Sequence, residues 1–419
     1  SNTMDKLLDE FYFDAIEEKH SSFISVVQVK TDSITTLLPR TTDLARYAIA
    51  SDMVQEVDVS GNTVAHVFSV TKSMAGLAWA SFLYDPSKRY ENTSLHAELM
   101  GLHDTPNQKG FKRSEAGYYL SPTRPITNNM PLLGKTHARY FFTQTSGLHM
   151  KQYANIAALN TILASKKKMI NDVDTFNGIL ADNFISERPS EEGTEFVYDN
   201  LLTQVAGFMF EDFMKMKKDN PEFLIRDYVM EKYFPESLKT PEKQYIRDMW
   251  ALVDAGYRFY SIQDGSVVEY QLPVKNTLVL AGLRMTGRDM VAFGVEMLQK
   301  HHGLLLRIYS DYELMYVFPK KEGETEERSG WAYNLFFWIP RFENDQNHKW
   351  ISCIGYQGQY ILFELVTKTL FVRQHFTKNF ITENIDWRHL QNESVQKYRY
   401  VNFVGRCKDL LDKIELLKK

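Results

Sequence analysis

From Val70 to Tyr84 the chain reads VTKSMAGLAWASFLY, which apart from Lys72 is apolar or small on every side. A helix patterned in this way has no solvent face, so it must lie inside the molecule with other elements packed around it. It is too short to cross a bilayer. The remaining sequence has to supply the surrounding layers, and 419 residues with 44% hydrophobic and 24% charged residues are enough to do so. A chain of this size buries roughly three quarters of its unfolded surface. That composition excludes long disorder and fibrous repeats, and the length admits two or three structural units or one catalytic body carrying an inserted lobe.

The 49 Lys and Arg against 53 Asp and Glu leave a net charge of −4, which offers nucleic acid no overall attraction. Cys353 and Cys407 cannot form a disulfide framework and lack the neighbours of a zinc site, so a reducing compartment is expected and no metal is. The start, SNTMDKLLDEFYFDAIEEKH, lacks a basic segment followed by an apolar run, and a cytoplasmic location is the expectation. Ser1 to Thr3 read as a remnant added before Met4, so a natural targeting segment could have been trimmed there.

Residues 4 to 20 carry Leu7, Leu8, Phe11, Ala15 and Ile16 at helical spacing. Phe23 to Val29 and Ser33 to Leu38 read as a hairpin about Lys30-Thr31-Asp32. Residues 85 to 135 read as an irregular surface excursion, and helical patterns dominate from about 152 to 250. Strands return at Glu313 to Phe318, Trp350 to Tyr356, Gln359 to Val366 and Thr369 to Phe376, and Lys408 to Leu417 closes as an amphipathic helix. The expected fold is therefore α/β, with a sheet domain from residues 1–78 and 276–419 and a mostly helical domain from 79–275.

Three patches could carry chemistry. Ser69-Val70-Thr71-Lys72 is one of three S-x-x-K sequences, the others starting at Ser165 and Ser394, but it alone opens an apolar helix. Ser69 would sit at the positive end of that helix, with Lys72 on the same face. Burial would lower the Lys72 pKa and leave a neutral amine able to take the hydroxyl proton. Equally, Ser69 could cap a core helix while Lys72 reaches the surface. Tyr198-Asp199-Asn200 is one of four Y-x-N sequences, with those at Tyr90, Tyr153 and Tyr400, and lies where a turn-rich approach meets an apolar helix. A packing tyrosine is the plain alternative. Gly355-Tyr356-Gln357-Gly358-Gln359 is a hairpin turn, or a place where a backbone N–H approaches a substrate oxygen.

In this order the patches resemble the serine hydrolases of the penicillin-binding protein and class C β-lactamase type, with family VIII carboxylesterases and 6-aminohexanoate-dimer hydrolase. Thr143 to Leu148 (TQTSGL) is similar to that family's T-H-T-S-G-L segment, and Ala281 to Leu298 to its G-G-x-x-x-T-x-x-D-M-x-x-F-G segment. The resemblance covers roughly residues 23 to 376 in patches and implies a β-lactamase/transpeptidase-like fold, a mostly antiparallel sheet flanked by helices with a helical insertion. It implies Ser69 as nucleophile, Lys72 as proton acceptor and Tyr198 as acid and base. Asn200, with Gly355 and Gln357, would contact substrate, and the N–H groups of Ser69 and Tyr356 would form the oxyanion hole. No cofactor is implied. Trp331 and Trp338 could line an acyl pocket.

Where β-lactamases have K/H-T-G, this chain has Cys353-Ile354-Gly355, and a cysteine cannot pair with a substrate carboxylate. That departure favours a small ester or linear amide over a β-lactam or D-alanyl peptide, unless Arg284, Arg341 or Arg373 supplies the cation. A non-catalytic binding or structural protein on the same scaffold is the alternative, since fold alone does not fix function. His301-His302 and Lys166 to Lys168 read as a helix end and a solvated face. The oligomeric state is not legible.

Overall fold

The computed structural model describes residues 2–15, 21–41, 45–46, 58–84, 138–150, 185–187, 190–217, 220–250, 257–263, 266–272, 277, 279, 282–320, 330–355, 358–376 and 400–419. Nine α-helices are present among them: α1 (Asn2–Ala15), α2 (Val70–Leu83), α3 (Ala138–Phe142), α4 (Asn200–Lys217), α5 (Ile225–Tyr233), α6 (Gln244–Trp250), α7 (Gly287–Lys300), α8 (His302–Ser310) and α9 (Tyr400–Leu417). None of the described helices is long and apolar enough to cross a membrane.

The β-branched and aromatic segments at both ends of the chain build one sheet. Its strands are β1 (Ser21–Val29), β2 (Ile34–Thr41), β3 (Tyr316–Val317), β4 (Ala332–Asn334), β5 (Phe337–Ile339), β6 (Trp350–Gly355), β7 (Gln359–Glu364) and β8 (Thr369–Phe376). They lie in the order β3-β4-β5-β6-β7-β8-β1-β2, and every neighbouring pair is antiparallel. The first strand of the chain thus pairs with the last, Ile24 opposite Arg373, which ties the two ends into one sheet.

Adjacent residues on a strand face opposite sides, so neighbouring contacts show which helices cover which face. On β8, Phe371 lies 6.3 Å from the Phe11 ring of α1, while Leu370 packs so closely on α7 that a Cβ at Gly294 would stand 2.5 Å from it. Helix α9 joins α1, with Phe403 stacked on Tyr360 at 4.9 Å and 6.3 Å from Phe11. Trp350 meets Phe371 on that same side at 5.9 Å, so Cys353 and Gly355 of β6 face the other way, toward α2. Helix α2 is buried along its length, as its sequence requires. Thr71 Oγ1 accepts the N–H groups of Gly282 and Leu283, and the expected capping box holds the start of α7: Thr286 accepts from the Asp289 N–H and Asp289 from that of Thr286.

Several elements differ from the sequence expectation. Strands β4 and β5 form a tight hairpin through Leu335 and Phe336, at φ +47° and +63°, a turn that usually takes Gly or Asn and so left no signal. Tyr257–Gln263 and Ser266–Leu272 pair as a hairpin within the stretch read as mostly helical. Asp264-Gly265 between them is a hairpin-turn sequence. Helix α9 begins eight residues before Lys408, at Tyr400. The excursion at 85–135, Ser165, Lys166 to Lys168 and Ser394 lie outside the described residues.

The β4–β5 turn sits directly on α2. A Cβ at Gly76 would lie 2.0 Å from the Leu335 carbonyl oxygen, a backbone atom that cannot rotate away. Gly76→Ala should therefore lower stability by about 1–3 kcal/mol, read as a lower urea midpoint. An unchanged midpoint would show that this contact yields freely.

Candidate active site

Ser69 stands in the turn that opens α2. The residue before it, Phe68, is held at φ +49°, in a region costly for a bulky side chain. Successive i to i+3 bonds, from Val70 N–H to Val67, Thr71 N–H to Phe68 and Lys72 N–H to Ser69, tighten this first turn. The turn presses against the end of β6, where a Cβ on Gly355 would come within 2.1 Å of the Val67 carbonyl oxygen. Glycine at 355 is thus required by the close approach of the Val67 backbone.

Lys72, one turn on, is 1% exposed, and its Nζ lies 2.7 Å from Ser69 Oγ. Burial pulls its pKa down from 10.5 to about 7, against the opposing charge of Asp199. Near neutrality much of the amine is therefore uncharged and able to accept the Ser69 proton. From the other side the Tyr198 hydroxyl donates to Ser69 Oγ at 2.6 Å, and Lys72 Nζ lies 4.8 Å from the centre of the Tyr198 ring. Residues 129 apart in sequence thus share one oxygen. Tyr198 as a whole is 37% exposed. Burial pushes the phenol pKa well up, with the Ser69 bond pulling against it, so Tyr198 keeps its proton at neutral pH.

Tyr198 is positioned by the TQTSGL segment. The Gln144 carbonyl accepts the Val197 N–H at 2.9 Å, and its side-chain oxygen accepts the Asp199 N–H at 3.2 Å, gripping the residues on both sides. Gln144 Nε2 also donates to Thr203 on α4 at 2.9 Å, from a backbone held at φ +58°. Asp199 caps α4 by accepting the Leu202 N–H at 2.8 Å. Neither Gln144 nor Asp199 was singled out from the sequence for such a role. Their partners are distant for Gln144, while for Asp199 the signal was an acid at a helix start.

Asn200 begins α4 and is half-buried, two residues from Tyr198. The Trp338 ring stacks on Tyr198 at 6.2 Å, and Trp331 is buried with its carbonyl accepting the Phe318 N–H. Tyr356 and Gln357 lie outside the described residues. Cys353 is buried facing α2, its thiol pushed up to about 12 by burial and drawn back in part by Ser73, so it provides no charge. Of the three arginines considered, Arg373 lies on the opposite face of the sheet, its guanidinium 5.6 Å from the Phe403 ring. Arg341 lies over Tyr312 at 5.7 Å, and Arg284 pairs in register with His66 ahead of the Ser69 turn.

Among the described residues, His348, Asp412 and Glu415 bring potential ligand atoms within 4.8 Å of one another. Both ring nitrogens of His348 already face carboxylates, Asp345 at 3.0 Å and Glu415 at 2.9 Å, an arrangement that fastens α9 to the sheet.

No protein-family model matches the chain, and no curated protein does. The overall trace is similar to solved penicillin-binding and β-lactamase structures. A class C β-lactamase is 14% identical over 98% of this chain and 95% of its own, at TM-score 0.49. A penicillin binding protein from Bacillus halodurans is 13% identical over 88% and 94%, also at 0.49. EstCE1, a hydrolase with promiscuous acyltransferase activity, is 12% identical over 89% and 93%, again at 0.49.

The buried amine has a consequence for stability. In the unfolded chain Lys72 binds its proton up to the ordinary 10.5, and in the folded chain only up to about 7, so between those values the unfolded state holds more protons. Stability should then rise with pH across that window, by at most about 1.4 kcal/mol per pH unit from this group. Lys72→Met should remove that component, measured as the difference in urea unfolding between the two proteins from about pH 7 to about pH 10. Parallel curves would mean that the amine titrates normally.

Proposed function

We propose that this chain is a serine hydrolase of the β-lactamase-like type, cleaving a small ester or amide through an acyl-Ser69 intermediate. The observation that carries the reading is the convergence of Lys72 Nζ at 2.7 Å and the Tyr198 hydroxyl at 2.6 Å on Ser69 Oγ.

In the proposed reaction Ser69 Oγ attacks the substrate carbonyl carbon as its proton moves to neutral Lys72. The oxyanion of the tetrahedral intermediate is met by the N–H of Ser69 and, in this proposal, that of Tyr356. Collapse breaks the bond to the leaving group, which takes a proton from the Tyr198 hydroxyl, and Lys72 returns its proton to Tyr198. Water then enters, loses a proton to the same pair and releases the acid, restoring Ser69. A lysine near neutrality is suited to accept the proton, and a protonated tyrosine to donate one. Asn200 would orient the substrate, and Trp338 would wall the acyl group in place of Trp331. An uncharged Cys353 behind α2 favours substrates without a carboxylate to hold, hence esters and linear amides over β-lactams.

Exposure to p-nitrophenyl butyrate, a fluorophosphonate and benzylpenicillin in parallel, followed by intact-mass and peptide analysis, tests the reading. Labelling at Ser69 with steady nitrophenol release is expected, and Ser69→Ala should abolish both while keeping the fold. Turnover retained in Ser69→Ala would sink the assignment. The rate against pH should rise to a plateau with a midpoint of about 7, set by loss of the Lys72 proton. A flat profile through neutrality would remove Lys72 as the base.

A further inference from the structure

At the far end of α2, roughly 18 Å of helix from Ser69 by the rise per residue, lies a cavity of about 430 Å³ bordered by Ser81 and Tyr84. Its size is that of a small-molecule site. Lys232, Lys300, His301 and Arg307 all line it, and among the described residues no carboxylate does. Four basic side chains from α5, α7, the α7–α8 junction and α8 therefore converge on one hollow.

Glu296 pairs with Lys300, whereas Lys232 and Arg307 meet aromatic rings instead. Lys232 Nζ meets the rings of Tyr228 and Tyr233 at 5.6 and 5.9 Å and the Tyr228 hydroxyl at 3.5 Å, and Arg307 lies over the Tyr84 ring at 5.0 Å. Neither has a carboxylate partner among the described residues. The nearby acids are engaged: Glu296 with Lys300 at 2.8 Å, Glu236 with Lys239 at 3.0 Å, and Asp311 with the Tyr84 hydroxyl. Burial holds the His301 ring below its ordinary pKa, with Glu296 opposing this and the ammonium groups of Lys232 and Lys300 adding to the lowering. Gly303, in the first turn of α8, also lines the hollow and has open space where a side chain would stand.

We propose that this cavity binds a small molecule bearing a phosphate or pyrophosphate group. Cations that lack carboxylate partners repel one another, and an anion with several charged oxygens satisfies them together in a way that a single carboxylate does not. The site is separate from Ser69 and its occupant is not the hydrolysed substrate.

Calorimetric titration of the full chain at low ionic strength with inorganic pyrophosphate, and separately with ADP, tests the proposal without any reference to hydrolysis. One site per chain is expected, weakened at least about tenfold by Lys232→Ala and by Arg307→Ala. Both side chains are exposed, so either variant should fold. Lys413→Ala, an exposed lysine of α9, should leave binding unchanged. Tighter binding of ADP would identify a nucleotide as the ligand class, and equal affinity the phosphates alone. Absence of binding with both probes, or equal weakening by Lys413→Ala, would overturn the proposal.

Discussion

The amine of Lys72 is surrounded by protein, and the rest of the site depends on what that costs. An ammonium ion placed among core side chains loses its hydration, and here that loss outweighs the opposing charge of Asp199, so the neutral amine is favoured. At 2.7 Å from Ser69 Oγ, the neutral amine is placed where a base for the hydroxyl has to be. Keeping water away requires packing on all sides of α2, and that packing explains the features that first look unrelated. Gly76 lets the β4–β5 turn lie on the helix, Gly355 lets β6 abut the turn before Ser69, and Cys353 fills the sheet face behind with an apolar, uncharged thiol. A lysine or histidine at Cys353 would put a second positive charge near α2 and lower the Lys72 pKa further.

Tyr198 completes the arrangement through a different balance. Desolvation keeps its hydroxyl protonated, while its ring stacks on Trp338. The two groups that meet Ser69 are thus shifted in opposite directions by the same cause: burial makes a lysine easier to deprotonate and a tyrosine harder. One environment yields a proton acceptor and a proton donor. The grip of Gln144 on Val197 and Asp199 fixes the phenol, because bonds on both sides of Tyr198 leave its backbone little freedom.

Most of the scaffold was legible from local pattern. The apolar run of α2, the β-branched and aromatic runs of β1, β2, β7 and β8, and the Thr286 to Asp289 capping box are all local features, and each left its mark in the sequence. Contacts closed by folding left none. The tether from Gln144 to the Tyr198 segment spans 55 residues, and nothing in either segment announces the other. The β4–β5 hairpin was missed because its turn uses Leu335 and Phe336 at positive φ, residues whose propensity argues against it. The stacking of Trp338 on Tyr198 is likewise a contact between segments far apart in sequence.

The account stands on the protonation state of one buried amine. Selective labelling of lysine side chains and an NMR titration, with Lys72→Met to assign the resonance, would measure it directly. A midpoint of about 7 is predicted, and a midpoint at the ordinary 10.5 would contradict the account, because a charged Lys72 could not take the proton from Ser69.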